Sequence, residues 1–78
     1  MPNRHRTAEE FAFNATVGKN IKYLRKARNL NQSKVGVALS VSFQQIQKYE
    51  KGANGLSAIR LKQLAEKFNV SMDVLADP

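Results

Sequence analysis

Ser42 to Gly52 reads SFQQIQKYEKG, with three glutamines, two lysines and one phenylalanine around only two core-type residues, Ile46 and Tyr49. A glutamine amide presents one donor and one acceptor in a plane. That pair matches N6–H and N7 on the major-groove edge of adenine, and a lysine can donate to guanine O6 and N7 or to a phosphate. At 100° per residue, Ile46 and Tyr49 define one side of a helix. Gln44, Gln47, Lys48 and Lys51 collect on the opposite side, with Phe43 at its edge. Phe43 either meets a thymine methyl or folds back onto neighbouring helices, and Gln47 either reads or fills. Gln45 stands apart, three residues after Ser42. The S-x-x-Q spacing predicts a capping box in which its amide reaches back to the backbone N–H of Ser42.

Other chemistries find few residues. The one histidine, His5, lies near the N-terminus, and there is no cysteine. No carboxylate pair is placed for acid–base work. Glu9 with Glu10 reads as a helix-start charge pair, and the serines read mostly as caps. An enzyme, a cofactor and a metal site are therefore not expected.

The formal charge of +7 is concentrated. Arg4 and Arg6 balance Glu9 and Glu10, while Arg60, Lys62 and Lys67 balance Glu66, Asp73 and Asp77. Between residues 16 and 51, Lys19, Lys22, Arg25, Lys26, Arg28, Lys34, Lys48 and Lys51 face Glu50 alone, which accounts for the whole excess. Basic charge gathered this way suits a polyanion, with nucleic acid the first candidate. A solubilising surface would scatter its charge. A membrane surface needs a broad exposed apolar face beside the basic one, and no segment offers it.

The elements that must hold these residues are helical. Val17, Ile21, Leu24 and Arg28 fall on one stripe, and Ile59, Leu61, Leu64, Ala65 and Phe68 on another; strand alternation is absent. Four starts share one mechanism, a cap bracketed by an apolar staple. Leu30 and Val35 bracket Asn31, Val41 and Ile46 bracket Ser42, Leu56 and Leu61 bracket Ser57, and Val70 and Leu75 bracket Ser71. Gly52 and Asn69 suit the left-handed residue after a helix. The expected helices are 16–28, 32–39, 43–51, 58–68 and 72–76. Residues 1–15 form an arm, either frayed or carrying a short helix started by a Thr7–Glu10 capping box. Residues 16–78 form a single all-α domain. No membrane span or signal peptide is expected, and the absence of cysteine is compatible with a cytoplasmic protein.

Only Ser40, Val41 and Ser42 link the second and third helices, which makes a helix-turn-helix at about 32–51. Gly36 is expected where the two approach most closely. The stretch LRKARNLNQSKVGVALSVSFQQIQKYEKG, followed by LSAIRLKQLAEKFNVSMDVL, resembles the Cro/repressor-type helix-turn-helix family of bacterial and phage transcription regulators. The likeness covers about residues 17 to 75 and rests on the order of several features: LR late in the first helix, N-Q opening the second, V-S before the third, and Y-E-x-G ending it.

That resemblance implies a five-helix bundle whose third helix enters the DNA major groove. It implies base-facing positions for Phe43, Gln44 and Lys48, beside which Gln47 is also expected to contact bases. It implies phosphate contacts from Gln32, Lys51 and Asn54, beside which Lys34 is also expected to contact phosphate. It also implies an internal pair between Arg25 and Glu50, and a homodimer of a transcription regulator, a repressor, on double-stranded DNA. Two departures stand out. Ser40 replaces the usual turn glycine, and Gly36 replaces an alanine, a change to a smaller residue that is tolerable sterically but costs about 1 kcal/mol of helix propensity. A second reading keeps the fold and changes the partner, to an antitoxin-like or adaptor module that binds chiefly protein. Met72, Val74 and Leu75 of the last helix, or Phe11 and Phe13, are the apolar candidates for self-association.

Overall fold

The computed structural model describes residues 7–78. Arg4, His5 and Arg6 lie outside them, so the reading of that end as an arm does too. The described residues form α1 (Ala8–Ala27), α2 (Gln32–Leu39), α3 (Phe43–Glu50), α4 (Ala58–Phe68) and α5 (Met72–Ala76), with no strand among them.

α1 begins eight residues earlier than its core stripe suggests, and residues 8–15 belong to it. The Thr7–Glu10 capping box is complete: Thr7 Oγ1 accepts from Glu10 N (3.1 Å) and Glu10 Oε1 accepts from Thr7 N (3.3 Å). Ala8 to Thr16 contain no glycine or proline, so a helix started at Thr7 has nothing to stop it. Most of this stretch is exposed, Phe11 and Phe13 included, so it carries no buried stripe. α1 ends at Arg28, followed by Asn29 in the left-handed region.

The inner caps work as side-chain acceptors. Asn31 Oδ1 takes Lys34 N (2.8 Å), Ser42 Oγ takes Gln45 N (3.2 Å) and Ser57 Oγ takes Arg60 N (3.3 Å). Ser71 makes no such bond. α5 is held instead by Asn20 of α1, whose Nδ2 donates to Leu75 O (2.9 Å) and Asp77 O (2.8 Å). Gly52 and Asn69 have the expected positive φ, and so does Ser40 (φ 56°). A serine there costs about 1–2 kcal/mol that glycine would not.

The core gathers Val17, Ile21 and Leu24 of α1, Val35 and Leu39 of α2, Ile46 and Tyr49 of α3, Leu64, Ala65 and Phe68 of α4, and Leu75 of α5. Both members of each staple lie in this core or against it. Each fully buried aliphatic or phenyl side chain contributes about 1.5–3 kcal/mol. Ile59 departs from its stripe: it is exposed, because at 100° per residue it lies on the side of α4 opposite Leu61, Leu64 and Phe68. Arg28 closes the α1 stripe from outside, its guanidinium carbon 5.7 Å from the Phe68 ring centroid.

Two glycines set helix separations. At Gly36 a Cβ would lie 2.5 Å from Val41 O, so the α2–α3 turn folds onto bare backbone. An alanine there would meet main chain, so Gly36 does sit at the close approach expected of it. At Gly18 a Cβ would lie 2.6 Å from Glu50 O and closer still to Tyr49 O. α1 therefore leans directly on the carbonyl end of α3, a contact no sequence pattern announced.

Candidate nucleic-acid interface

α3 turns Ile46 and Tyr49 inward and leaves Gln44, Gln47 and Lys48 exposed, with Lys51 exposed just beyond its end. Phe43 is 48% exposed, so half of its ring remains open at the start of this face. Gln44 and Lys48 lie one turn apart along it. On a 100° wheel, Gln47 and Gln45 flank this pair at about 80° to either side. Each flank borders a cleft.

The first cleft, about 430 Å³, has Arg25 and Glu50 in its wall, with Lys22, Lys26, Asn31, Gln32, Gln47 and Lys51 around them. Arg25 Nε donates to Glu50 Oε2 (2.6 Å), Nη2 to Glu50 Oε1 (3.0 Å) and Nη1 to Leu30 O (3.0 Å). This is a two-pronged pair between buried partners, since Arg25 is 9% exposed and the Glu50 side chain 4%. The hydrogen bond to Glu50 holds the Arg25 pKa above its ordinary value, against the opposing effect of burial. Arg25 is thereby occupied inside the domain, and the cationic work at this cleft falls to Lys22, Lys26 and Lys51, all exposed. Gln32 at the start of α2 also donates to Glu50 Oε1 (3.1 Å). Its amide is aimed inward, and its second N–H is what remains for an outside acceptor.

The second cleft, about 610 Å³, is bordered by Ser42, Gln45, Tyr49, Asn54, Gly55 and Arg60. Gln45 donates through Nε2 to Asn54 Oδ1 (3.3 Å). This corrects the capping box expected at Ser42: the serine half forms, but the glutamine turns away to the α3–α4 loop. The loop's asparagine, nine residues on, offers a partner that local spacing does not reveal. Asn54 is thus half-buried at the cleft, while Lys34 is exposed in the first turn of α2 and borders neither cleft. Neither α2 nor α3 carries an acidic residue in its first turn. The positive ends of both helix dipoles are therefore left uncancelled, as an approaching anion requires.

Sequence reasoning passed over Lys22, Lys26 and Arg60 as site residues. The two lysines were visible only as part of the basic segment; their i, i+4 spacing places them on one face of α1. Arg60 carried no signal, since its place depends on how α4 docks.

A five-helix bundle with an exposed polar stripe on the third helix places the chain in a recognisable class. The sequence pattern described as Helix-turn-helix matches residues 21–75, and the chain belongs to that family, in its Cro/repressor-type branch. It is 41% identical over 63 residues to an uncharacterized HTH-type transcriptional regulator of Sinorhizobium fredii, covering 81% of this chain and 44% of the relative. It is 34% identical over 62 residues to the antitoxin PezA of Streptococcus pneumoniae, covering 78% and 39%. The chain thus spans less than half the length of these relatives. The restriction-modification controller protein C.AhdI of Aeromonas hydrophila has the same fold, with a TM-score of 0.78 at 19% identity over 86% of this chain and 97% of that one.

Proposed function

We propose that this domain binds double-stranded DNA in a sequence-specific way and regulates transcription, acting as a repressor rather than as an enzyme. The observation that carries this reading is the exposed Gln44–Lys48 stripe on α3, set in the segment that holds the whole net charge. Gln44 faces a base edge, Lys48 a base or phosphate one turn on, and Phe43 and Gln47 flank them. Gln32, Lys34, Lys51 and Asn54 approach phosphates. The regulator relatives support the assignment. No helix among the described residues is long and apolar enough to cross a membrane.

The domain acts as a homodimer on a two-fold site. Met72 and Val74 support this, being 40% and 42% exposed on α5, beside the buried Leu75. Selection of bound duplexes from a random pool tests specificity and, through half-site spacing, the dimer. Affinity should fall steeply with salt, and Gln44→Ala should lose its preference at one base position by about 1–3 kcal/mol. Binding indifferent to both sequence and salt would sink the reading.

The antitoxin relative favours a second reading, in which a protein is the main partner and DNA secondary. A stoichiometric protein partner recovered from the cell, together with blank mobility-shift assays, would establish it.

A further inference from the structure

Arg60, in the first turn of α4, borders the second cleft, and its Nη1 is buried without any hydrogen-bond partner. It is the sole orphaned side-chain nitrogen or oxygen of this kind among the described residues. A buried guanidinium N–H left unpaired is costly, so such a group usually has an acceptor supplied from elsewhere. Arg25 shows the alternative, a guanidinium whose three nitrogens all have protein acceptors. No side chain bordering the second cleft is acidic, so the protein itself supplies no counter-charge there.

The position of the cleft names the acceptor. A helix with its side chains is about 10–12 Å across and the major groove about 12 Å wide, so a helix lying in the groove turns its two flanks to the two phosphate backbones. The first cleft, with Lys22, Lys26 and Lys51, lies on the Gln47 flank of α3; the second lies on the Gln45 flank. We infer that Arg60, with Gln45 and Asn54, forms a phosphate-binding site for the DNA strand opposite the one met by Lys22, Lys26 and Lys51. Arg60 is the cation of that site. Its long stem lets the fork swing from its buried position into the open cleft, where a phosphodiester oxygen takes Nη1. The amides of Gln45 and Asn54 add N–H donors beside it, and their mutual bond of 3.3 Å is weak enough to yield. The site reads no base; it sets how deeply and at what tilt α3 sits.

The inference rests on the DNA-binding reading, and its test separates the two. The intact chain and its Arg60→Gln variant are titrated with the selected duplex across a salt series. They are then titrated with duplexes carrying single methylphosphonates along each strand. Failure of the unaltered chain to bind any duplex removes both ideas together. If it binds, Arg60→Gln should lower the slope of log affinity against log salt by about 0.9, so that the variant loses about 3.5-fold less affinity between 50 and 200 mM salt. One methylphosphonate on the opposite strand should weaken the unaltered protein and leave the variant indifferent. An unchanged slope with an unchanged methylphosphonate profile overturns the site. Should Arg60→Gln fail to fold, as its melting curve would show, Gln45→Glu and Asn54→Asp serve in its place. Each puts a carboxylate in the cleft and should weaken binding of every duplex alike without altering base preference; unaltered affinity in both overturns the proposal.

Discussion

On one side of α3, Arg25, Glu50 and Gln32 are locked to one another by hydrogen bonds of 2.6 to 3.1 Å, on residues far apart in sequence. On the other, Gln45 and Asn54 share one bond of 3.3 Å beside an arginine whose buried Nη1 has no acceptor. Both sides use the same residue types, an arginine with amides, and the difference is a carboxylate. Glu50 turns the first arginine into part of the scaffold, and without an equivalent the second remains available. A positively charged residue in this domain is therefore read by its partner before it is counted toward DNA.

Experiments that break the locked side should show the largest effects. Glu50→Ala leaves the buried Arg25 charged and unpaired and should cost about 3–5 kcal/mol in a denaturant melt. A loss under about 1 kcal/mol would mean that the pair is solvated in solution and that the contrast between the two sides is smaller than the geometry implies. Gly18→Val drives a side chain into the carbonyl end of α3 and should cost about 1–3 kcal/mol. It also displaces α1, which carries Lys22 and Lys26, so DNA affinity should drop with stability if that helix forms part of the interface. The sharpest comparison, which ends on the smallest effect, sets Gln32→Ala against Gln45→Ala. Removal of Gln32 takes a hydrogen bond from a buried carboxylate and should cost about 1.5–3 kcal/mol. Removal of Gln45 breaks only an amide contact and should stay within about 0.5 kcal/mol. Equal costs would erase the distinction between the two flanks.

Much of the fold was legible because helix starts are local events. Asn31, Ser42 and Ser57 each sit a fixed number of residues from the N–H they accept, with an apolar staple on both sides, so spacing alone located α2, α3 and α4. The exposed stripe of α3 followed from angle. α1 was harder: the Thr7–Glu10 box was visible, but Phe11 and Phe13 stay in solvent, and a pattern that tracks burial cannot follow a helix past its buried part. The remaining misreadings and omissions share a cause. The turn of Gln45 toward Asn54, the missing bond at Ser71, the contact at Gly18 and the place of Arg60 all depend on how distant elements dock. Arg25 and Glu50, twenty-five residues apart, became legible only through the family resemblance.

The grip of Asn20 on the last turn of the chain has a consequence for how the domain comes apart. Five residues are too few for a helix to persist alone in water, and Ser71 gives α5 no cap of its own. With two carbonyls held by a side chain more than fifty positions upstream, α5 opens only by releasing Asn20 of α1. Its loss and the exposure of Leu75 to water are one event, so a stretch that looks like a loose end behaves as a latch between the two ends of the described chain.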